Sequence, residues 1–121
     1  MAKFQGSKGY PIDIEKGKVV SYSLVSQSAG PQKMTIKRGN TVVVETSVKS
    51  TNLSNTSTGS FTSQGGTYNV YFSAHDIRVD EAVINAGDFV VTKTYLFAGE
   101  DSTDRDYQDT FATISWFRSA G

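Results

Sequence analysis

Cysteine is absent from the 121 residues, so the chain can form neither a disulfide nor a thiolate metal site, and its redox compartment stays open. Histidine occurs once, as His75 beside Asp76, with no G-x-S-x-G elbow to supply a nucleophile. A Ser-His-Asp hydrolase would have to be built on that one residue, and the reading is therefore a protein without catalysis. His75, Asp76, Asp80 and Glu81 could also gather a metal, but a solvated loop is the expected role of that segment. Formal net charge is zero, which lends no support to nucleic-acid or membrane-surface binding. No apolar run is long enough to span a membrane, and no apolar segment follows Met1-Ala2-Lys3-Phe4 as a secretory signal would require. The expected location is the cytoplasm, or the cell surface by a non-classical route.

Also missing is a sustained 3.6-residue apolar period, the mark of amphipathic helices. What the chain has instead is alternation. Val19–Val25 places Val20, Tyr22 and Leu24 on one face, and Tyr68, Val70, Phe72 and Ala74 repeat the pattern. Met34–Lys37 and Thr41–Glu45 flank a Gly39-Asn40 turn and read as a hairpin. Pro31 is expected to interrupt the chain after a Ser28-Ala29-Gly30 loop. Between residues 50 and 67, sixteen of eighteen residues are Ser, Thr, Asn, Gln or Gly, which suggests a long loop bearing one short polar strand. His75-Asp76 should end a strand, Ala82–Ile84 should form a short one, and Phe89–Ala98 is the longest β run. The expectation is all-β: one domain over residues 1–121, an antiparallel β-sandwich of about eight or nine strands, jelly-roll or Greek-key-like.

Charge is unevenly spread. Gly99–Asp109 holds five of the twelve acidic residues, Glu100, Asp101, Asp104, Asp106 and Asp109, against one base, Arg105. Such a cluster repels itself unless solvent separates the carboxylates or a cation gathers them. Asp104, Asp106 and Gln108 recur at every second position, as in the first half of an EF-hand loop. Yet Asp109 stands where the turn glycine belongs and Ser115 where the bidentate glutamate belongs, and no helical pattern flanks the loop, so it is not an EF-hand. A hard-cation site, with calcium preferred because it takes six to eight oxygen ligands, competes here with a solvated acidic turn. Glycosidase chemistry needs two carboxylates facing each other across a cleft, which one tight loop does not offer. Trp116 could stack on a sugar ring, but an aromatic on a strand is more often part of the core.

The run Glu100-Asp101-Ser102-Thr103-Asp104-Arg105-Asp106-Tyr107-Gln108-Asp109, followed by a strand ending Ile114-Ser115-Trp116, resembles the calcium loop of the bacterial fucose/mannose-binding lectins of the fucose-binding lectin II type. Val25–Gly30 is similar to that family's early sugar-contact loop. The resemblance implies a calcium-dependent lectin in which Glu100, Asp104, Asp106 and Asp109 are carboxylate ligands to calcium, Asp106 and Asp109 bridge two ions, and Gln108 and Gln27 complete the set. It implies sugar contacts from Ser28, Ala29, Gly30, Asp101, Asp104 and Asp106, and a terminal carboxylate, Gly121, that reaches the site of a neighbouring subunit. By residue type alone, Asp101 can equally face solvent or cap the turn. The partners implied are a carbohydrate or glycoconjugate and a second copy of the chain, as a homodimer or dimer of dimers.

Three features depart from the pattern. Gln27 and Gln108 stand where the family has asparagines, moving the amide oxygen outward by about 1.5 Å. The tail after Asp109 is two residues longer, so Ser119 aligns with the family's terminus. All three touch the same ion, and the expectation is one or two calcium ions per chain. The other reading is a structural or interaction sandwich with one calcium or none and no monosaccharide binding.

Overall fold

The computed structural model describes residues 2–101, 107 and 109–118, which form strands and turns and no helix. Ten strands follow in order: β1 (Ala2–Gln5), β2 (Tyr10–Asp13), β3 (Val19–Ser26), β4 (Ser28–Arg38), β5 (Thr41–Ser50), β6 (Thr56–Thr62), β7 (Thr67–Phe72), β8 (Asp76–Ala86), β9 (Phe89–Glu100) and β10 (Thr110–Phe117). They make two antiparallel sheets, one of six strands in the order β1-β8-β9-β10-β3-β6 and one of four in the order β2-β7-β4-β5. The chain leaves the larger sheet after β3, builds the β4–β5 hairpin in the smaller one, and returns as β6 beside β3. That return is the Greek-key connection.

Period-two alternation turns these strands into a sandwich. Val20 and Leu24, Met34 and Ile36, Tyr68 and Val70, Phe97, Ala112 and Ile114 are each at most 1% exposed and meet between the sheets. Phe97 forms the aromatic centre, with Phe72, Tyr10 and Phe4 ring centroids 5.2, 6.0 and 6.2 Å away.

The count of ten exceeds the eight or nine expected because β1 and β2 are four residues each, too short to show a period. β1 is zipped onto β8, and β2 onto β7 as an edge strand that accommodates Pro11. β8 is also longer than Ala82–Ile84. It starts at Asp76 and buries Ile77 and Val79, while its second half, from Asp80, is exposed on both faces. Pro31 does not end a strand. β4 runs through it, with three residues between Ser28 and Gln32 set against one between Ser50 and Val48 on β5, an irregularity that makes a bulge of the Ala29-Gly30-Pro31 segment. The polar stretch does hold one strand, β6, anchored by Phe61 against Tyr68 at 5.5 Å.

Candidate cation and sugar site

One end of the sandwich collects the residues of interest because of how the chain changes sheets. Gln27 is the single residue between β3 and β4, and it is exposed at that corner. Ser26 is the register partner of Thr110, Thr110 of Gly99, and Glu100 of Asp76. The end of β9 and the starts of β10, β8 and β4 therefore lie together. Gly99 is needed for the close approach: a Cβ there would stand 2.8 Å from Ile77 Cδ1 and 3.2 Å from the Cβ atoms of Ala74 and Thr110.

Glu100 is 2% exposed, and a buried carboxylate is costly unless its oxygens are engaged. Its Oε1 accepts from the Asp101 amide at 3.0 Å and its Oε2 from the Tyr107 amide at 3.1 Å. The Asp101 amide is shared with Asp109, whose Oδ2 lies 2.8 Å away. Two carboxylates thus converge on one N–H, and a third, Asp101, follows directly. The Asp101 Oδ2 accepts at 3.1 Å from Gln32 Nε2, and the Gln32 Oε1 accepts from the Thr110 hydroxyl at 2.5 Å. Beside this network the Ser26 hydroxyl is buried with no hydrogen-bond partner among the described residues.

Tyr107 ties the far part of the acidic loop to β8. Its backbone is left-handed, with φ at 55°. Its hydroxyl donates to Asp76 Oδ2 at 2.5 Å and accepts from Arg78 Nε and Nη2 at 3.2 and 3.0 Å, with the guanidinium carbon 5.1 Å from the ring centre. The hydrogen bond to Tyr107 is the main cause that raises the Arg78 pKa above its ordinary value, so this cation stays charged at every relevant pH.

The Ser28-Ala29-Gly30 segment rides on the β4 bulge. Ser28 Oγ accepts from the Gly30 amide at 3.3 Å, leaving its own O–H proton free to donate. A cavity of about 350 Å³ opens between Ser28 and Ala29 and the Lys49–Ser54 turn. That turn is locked around Ser50 Oγ, which receives the amides of Ser54 at 2.8 Å and Asn52 at 3.3 Å.

Of the expected residues, Gln27, Ser28, Ala29, Gly30, Glu100, Asp101 and Asp109 are therefore brought to one end. Asp104, Asp106, Gln108, Ser119 and Gly121 lie outside the described residues. Among the described residues no three Asp, Glu, His or Cys side chains cluster as a metal site. The donors present still fit a hard cation: carboxylate oxygens gathered in a partly dehydrated corner, with an unsatisfied hydroxyl beside them. Trp116 is not part of this corner. It packs against the core six residues along β10 from Thr110, about 20 Å at strand rise. Sequence reasoning missed Gln32, Thr110 and the Asp76–Arg78 anchor, whose positions depend on pairing between distant strands. Tyr107 lay inside the quoted motif but was assigned no role.

The two-sheet antiparallel sandwich is shared with solved bacterial lectins. The solved Ralstonia solanacearum high-affinity mannose-binding lectin superposes with a TM-score of 0.70 at 16% identity, over 88% of this chain and 94% of that one. Chromobacterium violaceum lectin CV2L, solved in complex with alpha-methyl-fucoside, gives 0.69 at 19% identity, over 93% and 96%. The C-terminal domain of the BC2L-C lectin from Burkholderia cenocepacia gives 0.67 at 14% identity, over 95% and 97%. No curated protein sequence matches the chain. The model of the fucose-binding lectin II (PA-IIL) family matches residues 12–118, and the chain belongs to that family.

Proposed function

We propose that the protein is a calcium-dependent lectin for fucose- or mannose-type sugars and carries out no chemical step. The observation that carries this reading is the convergence of Glu100 and Asp109 on the Asp101 amide, at the same end as the Ser28–Gly30 bulge, in a chain of the fucose-binding lectin II family. The mannose-binding and fucoside-bound relatives support the sugar class. Glu100, Asp104, Asp106 and Asp109, with Gln108 and Gln27, would hold the calcium, which when bound offers coordination positions to vicinal sugar hydroxyls. The chain itself supplies the rest. Asp101 presents an oriented acceptor, Ser28 a hydroxyl donor, and Ala29 and Gly30 leave room for the ring.

The protein is further read as a homodimer through the outer face of the larger sheet. On β9, β10, β3 and β6, the residues that alternate with the core are Ser, Thr, Val, Ala, Leu and Phe, the one charged exception being Glu100 at the end of β9, which is buried. Several hydroxyls there are already paired, Ser23 with Thr113 and Thr94 with Ser115 at 2.7 Å each, which lowers the cost of drying the face. A two-fold partner packed on it with β10 antiparallel would bring the end of its β10 toward this chain's acidic loop.

The test is a glycan array in millimolar calcium, repeated with a chelator. The expected result is binding to fucosylated or mannosylated glycans that disappears with the chelator and returns with calcium. Binding indifferent to the chelator would place sugar recognition elsewhere, and binding in neither condition would refute the lectin reading.

A further inference from the structure

Gln32 is 0% exposed, yet it is a polar side chain with both ends of its amide engaged. It belongs to β4 of the smaller sheet, and its partners are Asp101 just past β9 and Thr110 at the start of β10, both on the larger sheet. It is also the first residue to recover regular pairing after the bulge that carries Ser28, Ala29 and Gly30. The hydroxyl of Thr110, 1% exposed, occupies the Gln32 carbonyl oxygen, so the amide cannot flip without losing that bond. Its NH₂ group is thereby left facing Asp101.

We infer that Gln32 is a positioning residue for sugar recognition: it fixes the orientation of the Asp101 carboxylate and ties the acidic loop to the contact segment on the β4 bulge. The inference rests on the lectin reading. One Asp101 oxygen accepts from Gln32 and the other is oriented as a consequence, so a sugar hydroxyl meets an acceptor that is already in place. The two hydrogen bonds of Gln32 go to Asp101 and Thr110, neither of which is in the calcium ligand set proposed above, so its contribution falls on sugar affinity and not on ion affinity.

The experiment is calorimetric titration of the full chain, first with calcium alone and then with methyl-fucoside and methyl-mannoside at saturating calcium. Gln32→Met keeps the length of the side chain and removes both hydrogen bonds. It is expected to weaken sugar binding about tenfold, the scale of a lost hydrogen bond to a charged group, while calcium affinity stays within about threefold. In an Asp101→Ala background the same substitution should cause no further loss, a non-additivity that a merely structural role would not produce. Thr110→Val, which frees the carbonyl end and adds no bulk, is the second variant should Gln32→Met fold poorly, and is expected to weaken sugar binding in the same direction. Unchanged sugar affinity in both variants, or equal losses with and without Asp101, would overturn the inference while leaving the lectin reading intact. A wild-type chain that binds no sugar at saturating calcium would overturn both.

Discussion

Gly30 is a glycine that its backbone does not demand. Its φ lies outside the left-handed region, and a Cβ built on it meets nothing within 4 Å. Gly99 is the opposite case, a position where three side chains leave no space for a methyl group. On the lectin reading, the open space at Gly30, on the bulge that also carries Ser28, is room for the sugar. Gly30→Ala is therefore expected to leave the thermal midpoint within about 2 °C, since the backbone tolerates alanine and the lost chain entropy slightly favours it. The same change should shift the ratio of affinities for methyl-fucoside and methyl-mannoside at saturating calcium by about threefold or more. Competition binding with the two glycosides measures this, and an unchanged ratio would show that no ligand atom approaches Gly30.

At the scale of elements, the acidic loop is held from both sheets. Gln32 reaches it from β4, and Asp76 and Arg78 hold Tyr107 from β8. A loop dense in carboxylates repels itself unless a cation gathers it, so on the calcium reading such tethers matter most in the ion-free protein. Tyr107→Phe removes the hydroxyl and keeps the ring. It is expected to lower the unfolding midpoint of the chelated protein by several degrees and to weaken calcium binding about threefold to tenfold. Scanning calorimetry with chelator and a calcium titration measure the two effects, and a variant identical to wild type in both would remove the tether from the account. The acidic loop itself was legible in the sequence because its residues are contiguous, and β3, β7 and β9 because long strands repeat a clear period. The tether was not, because Asp76 and Tyr107 are 31 residues apart and meet only when β8 and β9 pair in one particular register. The passage of β4 through Pro31 was hidden for a related reason. A bulge relieves the missing N–H, and nothing in the local pattern announces a bulge.

For the whole molecule, the question is what covers the outer face of the larger sheet. Solvent-facing sheet surfaces normally carry charge, and this chain has twenty-four Asp, Glu, Lys and Arg residues to distribute. On four adjacent strands the outward positions carry none of them apart from Glu100, which is buried at the end of β9. Leu96 lies on β9, at the border of that face with β8, where its register partner is Asp80. Leu96→Arg introduces a charge that the monomer can accommodate, because Asp80 is next to it and solvent lies beyond. A face packed against its own copy would instead bury two such arginines at the interface, where desolvation costs far more than the surface pair returns. On the homodimer reading the wild type is expected to be a dimer and the variant a folded monomer, by light scattering and circular dichroism at one concentration. Binding to a densely fucosylated surface should fall about a hundredfold, because avidity is lost even where each individual site survives. A variant that remains dimeric would move the interface away from this sheet, and the uncharged face would then have to be explained by contact with some other surface.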